Sequence, residues 1–434
     1  MTIKTKFFFI NKLFLQILVF VYVYNVFFIG LPFGLGSRQV LGLVGFFLLL
    51  KKICKNFYLK EKILIKKNLI VILSLVFSLF FIALLSVTYN DTNDLTFIRY
   101  SFGLILSMLS AYFVLSAFKC FYGELSIQLI SVYFLNAVFF QVLLSATMFF
   151  NPVLYDFMNS LQNIDGDVLE KLKAVGELRI MGFGTAFFES GVINGYALML
   201  IPTLLRSSKK STYSIFYATF IFLIISVVGM MMARTTIIGA VIALLLFFVP
   251  LRYNKIYFSK IIFRFFIFLF TIPVLIFFGF NFLSNELKNK ITFLTNYGFE
   301  LFLNYIDGKG FSSSSTDEMK EMYVWPSSLK TYFIGDGYFI DPLDSAFYYM
   351  GSDIGYIRLL YYFGAFGLLS FVIINCYVLK IAFDITHNLM FKVFFVFSAM
   401  YLLVLNFKGF TDIFYLSILI GLVAFQSKKG KINI

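Results

Sequence analysis

The sequence predicts an all-α, polytopic integral membrane protein of about twelve transmembrane helices with two long outer loops, and three observations predict it. Apolar residues come in unbroken runs of helix length, Lys and Arg crowd into alternate connections, and two connections, 151–184 and 284–352, are far longer than the rest. Hydrophobic residues fill 60% of the 434 positions and charged ones 13%, too little polar surface for a water-soluble domain. In lipid the backbone must satisfy its own hydrogen bonds, which leaves helices or closed barrels. The runs have the length of helices, about 20 residues, not of barrel strands. Residues 1–434 therefore read as one transmembrane domain.

The first run, 7–29, follows Lys4 and Lys6 as a signal peptide would. It is too long for an h-region and lacks a small-residue cleavage site, so an uncleaved span is expected. Spans follow at 35–50, 69–87, 98–118, 125–150 and 185–205. The next apolar stretch, 213–251, is interrupted only by Arg234, Thr235 and Thr236. A tight outer turn there, with Thr235 or Thr236 as a helix cap, divides it into spans 213–232 and 235–251. One long helix would instead hold Arg234 near the membrane centre at a cost of ~3 kcal/mol or more. Spans 261–283, 353–380, 389–407 and 412–425 complete the set.

With the N-terminus inside, the inner segments hold 23 basic residues and three acidic ones, leaving 13 basic and 19 acidic outside. This asymmetry predicts both termini in the cytoplasm. The formal net charge of +14 is thus topology, and nucleic acid is not an expected partner. Cys54, Cys120 and Cys376 fall at or near inner helix ends, so no disulfide framework is implied.

In the second loop, Leu287, Ile291, Leu294, Leu301 and Tyr305 recur at helical spacing, which predicts a helix lying on the membrane surface. Ser312 to Ser315 reads as flexible linker. Thr316, Asp317 and Glu318 then open a short helix that Pro326 stops at Trp325.

Five of the eight arginines, Arg38, Arg99, Arg179, Arg234 and Arg358, lie on the outer side, whereas 20 of the 28 lysines lie inside. Arginine binds phosphate with a planar fork and keeps its charge in a low dielectric. Its placement points to an anionic ligand at the outer interface. Arg358, inside an apolar helix, should face protein or a water-filled cavity, or pair with Asp353. Arg99 is close in sequence to Asp91 and Asp94, so an ion pair is expected there. Arg38 reads as an interface anchor.

His387, the one histidine, falls on the inner side. An outer general base must therefore be a carboxylate: Glu189, Asp336, Asp353 or Asp412. Glu189 is hardest to explain structurally, because an acid inside an apolar run is costly to keep. Asp336 also suits the turn Gly335-Asp336-Gly337, and Asp412 could pair with Lys408. Asp165-Gly166-Asp167 has the Asp-x-Asp spacing of some metal-holding glycosyltransferases and reads as loop solvation. No P-loop and no Cys/His cluster of metal spacing is present, so neither a metal nor another cofactor is expected.

Gly351-Ser352-Asp353-Ile354-Gly355-Tyr356-Ile357-Arg358 with Tyr361-Tyr362-Phe363-Gly364-Ala365-Phe366-Gly367 resembles the segment after the large periplasmic loop of Wzy-type O-antigen polymerases. Arg179-Ile180-Met181-Gly182-Phe183-Gly184, leading into Phe187-Phe188-Glu189-Ser190-Gly191, is similar to their other arginine-bearing loop, and Ala233-Arg234-Thr235 to a third element. The spacing of arginine and glycine in the first loop departs from that of some members.

The resemblance implies a GT-C-like glycosyltransferase of the bacterial inner membrane that joins undecaprenyl-diphosphate-linked repeats into O-antigen or a related polysaccharide on the periplasmic face. Its expected partners are that lipid-linked glycan, membrane lipid and a chain-length regulator protein. Glu189, Arg358 and Asp353 are the expected catalytic residues, and Arg179, Arg234, Arg99, Lys408 and Asp336 the expected substrate-binding ones. The alternatives are a flippase for the same lipid-linked sugar, or an O-antigen ligase. The ligase family is expected to use an outer histidine, which this chain lacks.

Overall fold

A computed structural model of the protein describes residues 3–31, 34–61, 66–163, 179–185, 187–207, 212–250, 255–281, 284–310, 312–344 and 347–426. Helix accounts for 78% of it, and the described residues contain no strand. The Asp165-Gly166-Asp167 pattern lies outside the described residues. Each of the twelve apolar segments overlaps a helix, although the first helix stops at Val23, short of the expected 29, and the second runs on to Tyr58: α1 (Ile3–Val23), α2 (Ser37–Tyr58), α3 (Lys67–Tyr89), α4 (Thr96–Tyr122), α5 (Ile127–Phe150), α7 (Phe187–Ser207), α8 (Thr212–Met232), α9 (Thr236–Phe248), α10 (Lys255–Phe280), α14 (Gly355–Ile385), α15 (Leu389–Leu405) and α16 (Phe414–Gln426). The long connections add α6 (Pro152–Ser160), α11 (Asn285–Ile306), α12 (Ser314–Glu321) and α13 (Leu329–Phe333).

Among the described residues, six helices are long and apolar enough to cross a membrane: α3, α4, α5, α7, α8 and α14. Four apolar stretches, in α1, α9, α15 and α16, are shorter. This is the build of a multi-pass helical membrane protein. Buried side chains from α1, α7, α14 and α16 join one continuous apolar core, while Phe47, Phe81, Phe140 and Phe270 stay exposed on outward faces, as lipid contact requires.

Small residues let the closest helices touch. Gly42 and Gly45 of α2 lie against the Leu106 and Leu109 carbonyls of α4, and Gly195 of α7 lies against Gly239 of α9. The 213–251 stretch does divide at Arg234, but neither threonine caps α9 with its side chain. Thr236 Oγ1 instead donates to the Gly229 carbonyl (2.9 Å), tying α9 back to α8.

Helix α14 is broken at Phe363 and Gly364, where Gly364 has φ of 66°. The break frees carbonyls that a membrane helix cannot leave unpaired. Asp336 N–H donates to the Tyr361 carbonyl (2.6 Å), Gly337 N–H to that of Tyr362 (3.1 Å), and Ser86 Oγ also to Tyr362 (2.5 Å). The turn after α13 is thereby threaded into the bundle, and it fixes the position of the segment that follows it.

The second loop holds its predicted helix, α11, with Leu294 and Gly298 buried against α8. The serine run is not a linker. Ser313 caps α12 in a reciprocal capping box with Thr316, and the Glu300 carboxylate accepts from Ser314 N–H and Oγ. Helix α12 ends at Glu321, ahead of the predicted stop at Trp325.

Candidate functional site

Alternation of the helices brings the starts of α2, α4, α7, α9, α14 and α16 to one end of the bundle. A cavity of about 800 Å³ opens there. Its wall gathers five cations, Arg38, Arg179, Arg234, Arg358 and Lys408, and three carboxylates, Glu189, Asp353 and Asp412. Six of the eight residues singled out from sequence therefore share one cavity. Arg99 and Asp336 do not line it.

Each cation is held in its own way. Arg358 is buried, 7% exposed, with its guanidinium carbon 3.7 Å from the Phe339 ring centroid and 3.4 Å from that of Tyr348. Of the two alternatives, the ion pair with Asp353 is not formed among the described residues, and Nε of Arg358 has no hydrogen-bond partner there. An aromatic face can stabilise a guanidinium through its π electrons, and here it leaves the Nε donor of Arg358 unspent. The segment threaded beside α14 makes the stack possible: the Asp94 carboxylate accepts from Phe339 N–H (2.7 Å) and Ile340 N–H (3.2 Å).

Those two bonds, with a third from Thr96 N–H (2.9 Å), also correct the Arg99 expectation. Asp94 is committed to backbone, and Arg99 stands exposed outside the cavity without an ion pair among the described residues. Asp336 is likewise structural. It accepts from Thr331 Oγ1 (2.8 Å) and Lys330 Nζ (3.1 Å) while its N–H closes the break in α14.

Arg234 occupies the short link between α8 and α9. It pairs with Glu300 (2.5 Å), donates to the Tyr297 carbonyl (2.9 Å) and to Ser314 Oγ (3.2 Å), and lies over the Tyr297 ring. Arg179 donates to Tyr297 Oη (3.2 Å) and stacks on Phe187, whose φ of 50° is rare for a residue with a side chain. Its loop is anchored by Gln141, which donates to the Phe183 carbonyl (2.9 Å). Lys408 donates to Ser315 Oγ (3.4 Å) and makes no ion pair with Asp412. Burial pushes the Lys408 amine below the usual lysine range, and the nearby Arg234 charge adds to the effect.

Three carboxylates share the wall with these cations. Glu189, in the first turn of α7, presents its carboxylate to the cavity and accepts from Tyr415 Oη (3.4 Å). Asp412 accepts from Phe414 N–H (2.8 Å) at the start of α16. Asp353 precedes α14. It lines the cavity, where desolvation raises its carboxyl above the usual range while Arg358 pulls it back.

Three features were not anticipated. Arg38 lines the cavity instead of anchoring an interface, Glu300 sits on Arg234, and the aromatic rings of Phe339, Tyr348, Tyr297 and Tyr415 carry the arginines. The bias of arginine toward one side was signal enough for Arg38; the others depend on loop geometry. Among the described residues no cluster of His, Cys, Asp and Glu could hold a metal ion. No family model, curated protein or solved structure matches this chain.

Proposed function

We propose that this protein is a glycosyltransferase of the bacterial inner membrane, GT-C-like and akin to the Wzy-type O-antigen polymerases. In this reading it joins undecaprenyl-diphosphate-linked repeats on the periplasmic face, with twelve spans and both termini in the cytoplasm. The observation that carries the reading is the cavity itself, which combines clustered guanidinium groups with an acid at the ends of membrane helices. A lipid-linked diphosphate needs such donors at the interface, where a bidentate fork outperforms an ammonium.

In the reaction, a sugar hydroxyl of one lipid-linked repeat attacks the anomeric carbon of the chain carried by a second lipid. The bond from that carbon to the diphosphate oxygen breaks and its electron pair leaves with the diphosphate. Arg358, Arg179 and Arg234 stabilise that growing charge, helped by the positive end of α14. Glu189 takes the proton of the attacking hydroxyl, with Asp353 and Asp412 as nearby acids. Lys408 adds charge next to Arg234. No step calls for a cofactor.

A flippase for the same lipid is the second reading, because charges line an internal cavity. The presence of loop residues Tyr297, Ser315, Phe339 and Tyr348 in the wall favours the polymerase, since it sets the cavity at one end of the bundle. Deletion in the native host separates the two. A lipopolysaccharide gel should show core carrying a single repeat if a polymerase is lost, and no such band if a flippase or ligase is lost. Arg358→Ala should reproduce the one-repeat pattern at normal protein levels; a full ladder would remove Arg358 from the mechanism.

A further inference from the structure

We propose that Arg38 is a positioning residue of this cavity, holding Tyr415 and, through it, the Glu189 carboxylate in place for proton transfer. The inference rests on the reading of Glu189 as the base and deepens it.

Arg38 is the second residue of α2, and the chain around it is built to fix its guanidinium. Its own N–H donates to Asn25 Oδ1 (2.9 Å), and neighbouring Ser37 Oγ donates to the Val21 carbonyl (2.6 Å). Arg38 Nε donates to the Tyr22 carbonyl (2.7 Å) and Nη2 to the Val23 carbonyl (2.7 Å), two of the carbonyls left open at the end of α1. Gly36 allows this approach, because a Cβ there would fall 2.3 Å from Asn25 Oδ1.

Capping α1 would account for those two bonds but not for what the other side of the group does. The guanidinium carbon lies 3.7 Å from the ring centroid of Tyr415, and that ring's hydroxyl donates to Glu189 Oε1 (3.4 Å). Tyr22 Oη donates to the Tyr415 carbonyl (2.7 Å), so the start of α16 is gripped from two directions. Arg38 remains half-buried, lines the cavity, and has Nη1 bonded to no group among the described residues. The result is a chain of contacts from the end of α1 through Arg38 and Tyr415 to the candidate base, of the kind that keeps a reacting group within a fraction of an ångström of its working geometry.

The test uses the full-length protein in proteoliposomes with a synthetic lipid-diphosphate-linked repeat, comparing Arg38→Gln, Arg38→Lys, Tyr415→Phe and Glu189→Gln with their pairwise doubles. Arg38→Gln and Tyr415→Phe should each lower kcat by about 10- to 100-fold with KM unchanged. Arg38→Lys should not rescue, since an ammonium can neither cap both carbonyls nor stack flat on the ring. In the Glu189→Gln background, neither change should lower kcat further, because both act through that carboxylate. Tyr415→Phe keeps the ring under Arg38, so it reports on the link even if Arg38→Gln fails to fold. A rise in KM with kcat kept, full activity in Arg38→Lys, or losses that multiply with Glu189→Gln would overturn the proposal. If Glu189→Gln alone is fully active, the reading of Glu189 as the base fails instead.

Discussion

At the scale of the residue, the site depends on how each arginine is relieved of the cost of being buried. Arg358 is carried by two aromatic faces, Arg234 by Glu300 and a carbonyl, and Arg38 by the open end of a helix. Among the described residues, Arg234 is the one cavity arginine paired with a carboxylate, so it is the one a ligand must win from a competitor. Glu300→Gln should therefore lower the KM for a lipid-linked diphosphate about 2- to 5-fold, the worth of a partly exposed ion pair. An unchanged KM in the proteoliposome assay would mean Arg234 does not meet the anion. Asp353 offers a second handle. Its carboxyl is raised in the folded protein, so the stability it contributes is present below the ordinary aspartate pKa of about 4 and is lost as pH rises through the raised value. Asp353→Asn should then unfold at higher temperature than the parent at pH 7, and the difference should shrink as pH approaches 4. Parallel melting curves across that range would rule this out.

At the scale of the element, the broken helix α14 organises the cavity. Its first part carries Arg358, its break binds the 335–337 turn, and that turn presents Phe339 to Arg358. Gly364 makes the break possible, because its φ of 66° is open to glycine and a Cβ there would lie 2.3 Å from the Phe333 carbonyl carbon. Gly364→Ala should cost about 1–3 kcal/mol from backbone strain alone, with more from the clash. It should also expose the second loop to limited proteolysis. A variant as stable and protease-resistant as the parent would show that the break is not needed to seat the loop. Part of this element could be read in advance. Gly351 to Gly367 stood out for its glycines and for Arg358, yet nothing in the spacing of residues said that a turn some thirty positions earlier would fill the break.

At the scale of the whole molecule, Lys55, Lys119 and Arg206 lie in the last turns of α2, α4 and α7, helices whose first turns line the cavity. The proposed orientation makes a direct prediction in a background without Cys54, Cys120 and Cys376. Ser312→Cys should react with a membrane-impermeant thiol reagent in intact spheroplasts, whereas His387→Cys should react only after permeabilisation. The reverse pattern would place the cavity on the cytoplasmic side and end the polymerase reading. By itself the sequence determined the helices, since apolar runs longer than any soluble core can use leave the backbone in lipid no other structure. It also determined their alternation and singled out most of the cavity's charged residues, because a charge within or beside such a run is expensive unless it has work to do. Only the tertiary structure decided which charges meet. Asp94 was taken by the backbone of a distant loop instead of Arg99, Asp336 by a helix break, Arg38 by the end of its neighbour helix, and Glu300 reached Arg234 across sixty-six positions. Partners of that kind are set by packing between segments far apart in the chain, and local periodicity carries no information about them.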